Sequence, residues 1–283
     1  MPGTLFVVAT PIGNLDDVTT RALRVLREAD LIAAEDTRRT SHLLARYAIT
    51  TSTTSLHEHN EHQKTTSLLA RLERGESIAL VSDAGTPTVS DPGQRLIQAA
   101  AAAGCRIEPV PGPSAILAVL AASGFPADTF LFLGFPPTRS KDRADWFERL
   151  GKASETAVFF EAPHRLRRTL SEIVQRVGDL PVVVGRELTK IHEELVRGPI
   201  SVALRSLGEP RGEFTIAIDV GRTTESEADV SAQEASAIAD FGLITELTGA
   251  SRRAIAAALA KRHGLPANRV YALLEAAKTG SVP

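Results

Sequence analysis

The densest concentration of chemistry-bearing residues is Ser82-Asp83-Ala84-Gly85-Thr86-Pro87-Thr88-Val89-Ser90-Asp91-Pro92-Gly93. Its hydroxyls and carboxylates offer donors and acceptors, its prolines stiffen the backbone and remove donors, and Gly85 can take angles closed to other residues. Such a loop can hold the hydroxyls or the amine of a small polar ligand, or it can serve only to cap the next helix. A second cluster, Glu35-Asp36-Thr37-Arg38-Arg39-Thr40, puts two carboxylates and two arginines in six residues. That composition suits proton and phosphate handling, or a solvated ion-paired turn. A third, His57-Glu58-His59-Asn60-Glu61-His62, carries three histidines and two glutamates. Alternate histidines on a strand point to opposite faces, and no second ligand cluster lies at suitable spacing. No metal is therefore expected there. A polar ligand-facing loop, or the solvated start of a helix over 63–74, fits better.

These clusters need elements to position them. Leu5–Ala9, Leu31–Ala34, Thr53–Leu56, Ile78–Val81 and Arg106–Val110 read as short strands, and each runs into a polar loop. Helices are expected at 21–29, 41–47, 63–74, 95–101 and 115–122, with Thr19-Thr20 opening the first, Gly75 ending the third and Pro113-Ser114 setting the last. The repeated strand–loop–helix order predicts a mostly parallel sheet covered on both faces, with ligand loops at the carboxyl ends of the strands. Neither a G-x-G-x-x-G fingerprint nor a Gly-Lys-Ser/Thr phosphate loop is present. Gly124-Phe125-Pro126 breaks the pattern. Further strands follow near Phe130, at 157–161, 182–187 and 214–220, with a helix led by Pro163. An acidic, Ser/Thr-rich stretch to Ser231 reads as a linker to a helical tail. From 241 to 283 the tail holds six Lys+Arg against two Asp+Glu, a surplus of four positive charges. Its apolar spacing around Gly264-Leu265-Pro266 suits a small helix pair. The expected division is an α/β half at 1–121, a second α/β half at 122–222, and a linker and helical domain at 223–283.

The 283 residues carry 43% hydrophobic and 23% charged residues, as ordinary globular proteins do. The net charge of −2 argues against a uniformly basic coat but leaves room for a local basic patch. A single cysteine, Cys105, excludes an internal disulfide framework and suits a reducing cytoplasm. No signal-peptide pattern and no apolar run long enough to span a bilayer are expected.

Five segments, in order and spacing, carry a resemblance. They are Val8 to Leu15, Ala34 to Arg38, His57 to Glu61, Ser82 to Gly93 and Val110-Pro111-Gly112-Pro113-Ser114. Together they resemble the tetrapyrrole methylase superfamily from about Leu5 to Val220. The resemblance implies two α/β domains of class III methyltransferase type with S-adenosylmethionine in the cleft between them, in a homodimer. Members acting on porphyrin and corrin precursors usually carry a Gly-rich first loop and a Gly-Asp-Pro third motif. Here those places hold Thr10-Pro11-Ile12-Gly13-Asn14 and Ser82-Asp83-Ala84-Gly85-Thr86-Pro87, which favours the ribosomal RNA branch. That branch implies methyl transfer to the ribose 2′-oxygen of a decoding-region cytidine in 16S ribosomal RNA of the 30S subunit. A small-molecule methyltransferase and a non-catalytic ribosome-binding factor on the same scaffold are the competing readings.

The resemblance also bears on the site. Asp36 falls where the family places an active-site Asp, with Glu58 and His57 as alternatives for accepting the hydroxyl proton. Lys190 suits stabilising a developing alkoxide or binding a neighbouring phosphate. Pro11, Gly13, Ser82, Asp83, Ala84, Gly85, Thr86, Pro87 and Ser114 are expected to hold the cofactor. An RNA substrate needs phosphate contacts. Arg38, Arg139, Lys141, Arg165, Arg252 and Arg253 are expected to supply them, from a pool that also holds Arg143, Arg167, Arg168, Lys261 and Arg262.

Overall fold

The computed structural model describes residues 2–221, 236, 240, 252–263 and 270. Met1–Gly221 form one compact unit and Arg222–Pro283 a second. In the first unit, β1 (Thr4–Val8), β2 (Leu31–Ala34), β3 (Thr53–Ser55), β4 (Ile78–Val81) and β5 (Arg106–Val110) build a parallel sheet in the order β3-β2-β4-β1-β5. Side chains alternate across a strand. Leu31, Ala33, Ile78 and Leu80 therefore face one core, with Leu68, Leu72 and Leu96. Ile32, Ala34, Ala79 and Val81 face the other, with Val25, Leu26, Leu43 and Leu44. Burial on both faces explains why these strands are continuous apolar runs. The covering helices are α1 (Thr20–Glu28), α2 (Thr37–Arg46), α3 (Glu61–Glu73) and α4 (Gln94–Ala102). Pro109 cannot donate to a ladder, and it lies in β5 at the sheet edge.

The second sheet joins β6 (Phe130–Phe132), β7 (Thr156–Glu161), β8 (Pro181–Arg186), β9 (Glu194–Pro199) and β10 (Phe214–Ile218) in the order β6-β7-β10-β8-β9. Only the β6–β7 pair is parallel; β10 runs antiparallel to β7 and β8, and β9 to β8. Helices α6 (Ser140–Gly151), α7 (Pro163–Arg176) and α8 (Ile200–Ser206) supply Trp146, Leu166 and Ile200 to the core on one face. Helix α5 (Ala115–Ser123) covers the other face, where Ile116, Val119 and Leu120 meet Val158, Val183 and Ala217. This helix is apolar nearly all round because one side packs on the second sheet and another borders the cleft described below. In the second unit, α9 (Arg252–His263) buries Ile255, Ala256, Leu259 and Ala260 with Val270.

Three expectations change. Helix α2 begins at Thr37, not Ser41, because Asp36 caps it and turns most of the expected loop into its first turn. Strand β9 and helix α8 are not among the elements expected from the sequence; β9 is a half-exposed edge strand with little apolar signal. Arg143 is buried, donating to Glu172, the Pro137 carbonyl and Thr169, so it does not reach phosphate. The expected linker and the Gly264–Pro266 turn lie outside the described residues.

Candidate active site

The loops at the carboxyl ends of β1, β2 and β4 are tied to one another. Thr10 and Gly85 exchange backbone hydrogen bonds of 2.9 and 3.0 Å, and Thr10 Oγ1 donates to the Ser82 carbonyl at 3.2 Å. Asp83 N–H donates to Glu35 at 3.2 Å, and Asp36 N–H donates back to Asp83 Oδ1 at 2.9 Å. The far end of the long loop is fixed by the third cluster. Glu61 Oε1 accepts the N–H groups of Gly93 and Arg95 at 3.0 and 2.9 Å, at the N-terminus of α4. Glu61 thus satisfies donors that a helix start leaves open. Among the described residues, no group of three His, Cys, Asp or Glu is placed to hold a metal.

These loops face the second sheet across a cleft of about 660 Å³, within the range of small-molecule sites. Asp83, Ala84, Gly85, Thr86 and Ser114 line it, as do Glu35, Arg39 and Asp91. The opposite wall includes Phe135, Phe160, Glu161, Leu188 and Glu213. Of the other residues expected at the cofactor, Pro11, Ser82 and Pro87 are buried within their loops and shape them rather than line the cleft. Gly13 lies against the Leu188–Lys190 turn, where a Cβ would stand 2.4 Å from Lys190 Cγ and 2.9 Å from Thr189 Oγ1. Ser114 caps α5.

The floor is acidic. Burial, reinforced by the charge of Glu35, pushes the Asp91 carboxyl up to about 6, against a hydrogen bond from Ser82. Burial likewise raises Glu35, and the Asp83 charge adds to the effect. Four non-glycine residues with left-handed backbone stand in the two loops beside the cleft: Thr88, Ser90, Glu187 and Thr189, with φ of 72°, 68°, 49° and 68°. Such conformations are costly for side-chain-bearing residues and are held where surrounding structure enforces them.

Asp36 borders a neighbouring shallow concavity of about 520 Å³ with Arg38, Arg39 and His42. Its carboxylate accepts the Arg38 N–H at 2.9 Å and is gripped by the Arg38 guanidinium at 3.1 and 2.7 Å. Hydrogen bonds from that side chain and backbone hold Asp36 down at about 2. Arg39 lies 3.4 Å from Asp83 and borders both cavities. Glu58 is exposed on its turn and lines neither cavity. His57 also lies outside both, its ring 3.1 Å from the Asn60 amide nitrogen.

Lys190 donates to Glu187 and Glu213 at 2.9 and 3.1 Å. Burial opposes its charge, but these partners outweigh it and raise the ammonium above its ordinary value. Arg139 and Lys141 are exposed at the start of α6. Arg165 is a correction. It turns inward, 3.2 Å from the fully buried Glu161 side chain, and also meets the Pro136 carbonyl, so it is not a surface phosphate contact. Glu161 additionally accepts from Thr169. Arg167 caps carbonyls at the end of α8, and Arg168 pairs with Glu172. Arg252 and Arg253 open α9, but their side chains lie outside the described residues, as does that of Lys261.

A parallel sheet facing a mixed sheet across a loop-lined cleft of small-molecule size, with several carboxylates in its lining, defines a two-sheet α/β protein. The sequence matches the tetrapyrrole (corrin/porphyrin) methylases over residues 4–204, and the chain belongs to that family. It is 42% identical over 274 residues to the ribosomal RNA small subunit methyltransferase I of Synechocystis sp., covering 96% of this chain and 97% of that one. It is 45% identical over 218 residues to the protein of that name from Thermotoga maritima, covering 76% of this chain and 98% of the relative. Among solved structures it is similar in fold to diphthine synthase, with a TM-score of 0.62 at 15% identity over 77% of this chain and 90% of the other. It is likewise similar to a uroporphyrin-III C-methyltransferase from Thermus thermophilus complexed with S-adenyl homocysteine, with a TM-score of 0.55 at 18% identity over 78% and 99% of the two chains.

Proposed function

We propose that the chain is an S-adenosylmethionine-dependent methyltransferase acting on the ribose 2′-oxygen of a decoding-region cytidine in 16S ribosomal RNA of the 30S subunit. Similarity to ribosomal RNA small subunit methyltransferase I over 96% of the chain carries the substrate assignment. The reading implies a cytoplasmic enzyme, and we propose that it works as a homodimer.

The cleft suits the cofactor. Its sulfonium and amine are cationic, and Glu35, Asp83 and Asp91 supply negative charge at the floor. Gly85, at φ 79°, lets the loop backbone approach closely. When bound, the cofactor supplies a methyl group whose bond to sulfur breaks as its bond to the ribose oxygen forms, while the hydroxyl proton passes to a base.

The chain's own residues orient the acceptor and take that proton. Asp36 is the proposed acceptor of the proton. Its low basicity comes from the Arg38 fork, which an RNA phosphate would compete for. Arg38 and Arg39 are proposed to bind the phosphodiester beside the cleft. Lys190, kept charged by Glu187 and Glu213, is proposed to favour a developing alkoxide from the Glu213 side.

The test is transfer of labelled methyl groups to unmodified 30S subunits, run beside a porphyrin-precursor acceptor. Labelled 30S and an unlabelled precursor support the reading. The reverse outcome assigns a small-molecule enzyme, and absence of cofactor binding assigns a non-catalytic factor.

A further inference from the structure

Phe135 is a large apolar side chain left 51% exposed while lining the cleft. It is held from behind. Its ring lies 5.4 Å from that of Phe160, which stands edge-on to Phe132 at 5.1 Å. The preceding Gly134 has φ 61°, and a Cβ there would lie 3.9 Å from Ser90 Oγ in the opposite loop. Phe135 is thus presented at a narrow approach between the two walls, and the exposed Val89 of the opposite loop also lines the cleft.

We propose that Phe135 is the platform on which the base of the target nucleotide stacks. The inference rests on the RNA methyltransferase reading. Bases lifted out of RNA structure are commonly held on aromatic faces. The adenine of the cofactor offers the same planar chemistry, but the observations favour the RNA base. Glu35, Asp83 and Asp91, which suit the cationic cofactor, lie on the loops of the first sheet, whereas Phe135 stands half exposed on the opposite wall. Arg39 joins the cleft to the arginine-lined concavity, so a phosphodiester held there brings its nucleotide to the same opening. A ring packed on Phe160, which is itself backed by Phe132, loses little freedom on stacking.

The experiment compares full-length wild type with Phe135→Ala, Phe135→Leu and Phe135→Trp. It measures KM and kcat for methyl transfer to unmodified 30S, Kd for S-adenosylhomocysteine, and sedimentation. The expected result for Phe135→Ala is a rise in KM of about 5- to 150-fold, the range that a base stack of about 1–3 kcal/mol corresponds to. Phe135→Trp restores KM and Phe135→Leu does not, while cofactor Kd and sedimentation stay unchanged. An unchanged KM in Phe135→Ala overturns the proposal. So does weakened cofactor binding, which assigns the ring to adenine, or a loss of dimer, which assigns it to a second copy. Wild type that fails to label 30S overturns the underlying reading, a result separate from failure of the variants alone.

Discussion

Arg38 grips Asp36 through two nitrogens although its own side chain is 88% exposed. That arrangement leaves the guanidinium open to an incoming phosphate. Asn retains helix capping but not basicity. Asp36→Asn is therefore expected to stay folded, with a thermal midpoint lowered only slightly by loss of the exposed Arg38 ion pair, and to lose about 10²- to 10⁴-fold in kcat, measured by methyl transfer to 30S. Asp91 gives a pH signature. Its folded value of about 6 lies above the ordinary 3.8. Its contribution to stability is complete below 3.8 and is lost as pH rises through about 6. Asp91→Asn should raise Tm at pH 8 by about 2–4 °C, after discounting for solvent screening of a half-exposed group. Calorimetry should show that gain vanishing near pH 4. Wild-type cofactor affinity should fall as pH drops through about 6, with a flatter profile in the variant.

The loops are held by backbone geometry as much as by side chains. Gly93 has φ 118°, and a Cβ there would meet Leu80 Cδ2 at 2.7 Å. Gly93→Ala should destabilise the protein by about 1–3 kcal/mol in denaturant unfolding. Strands β2 and β4 have the bounds expected from sequence because short apolar runs end at polar or turn-forming residues, and β5 has its expected bounds between the Gly104 turn and the Pro111-Gly112-Pro113 loop. The residue types of the loops are legible for the same reason. The pairing of Arg165 and Arg143 with Glu161, Thr169 and Glu172 is not. An arginine looks alike in sequence whether it faces solvent or a carboxylate on a neighbouring element. Glu61 reads as part of a polar motif, but its role at the start of α4 depends on packing between α3 and α4, which spacing alone does not disclose.

At the scale of the molecule, a net charge of −2 coexists with an arginine-lined concavity beside the cleft. Binding to 30S should weaken with added salt, and Arg38→Ala with Arg39→Ala should reduce the salt slope by about 1–2, measured by filter binding. The described residues that line the cleft and the concavity all belong to the first unit. The most direct test is to map the labelled methyl group by nuclease digestion and mass analysis after transfer to unmodified 30S. The expected result is one 2′-O-methylated cytidine in the decoding region. Label on a base, on another RNA region, or on no RNA at all would contradict it.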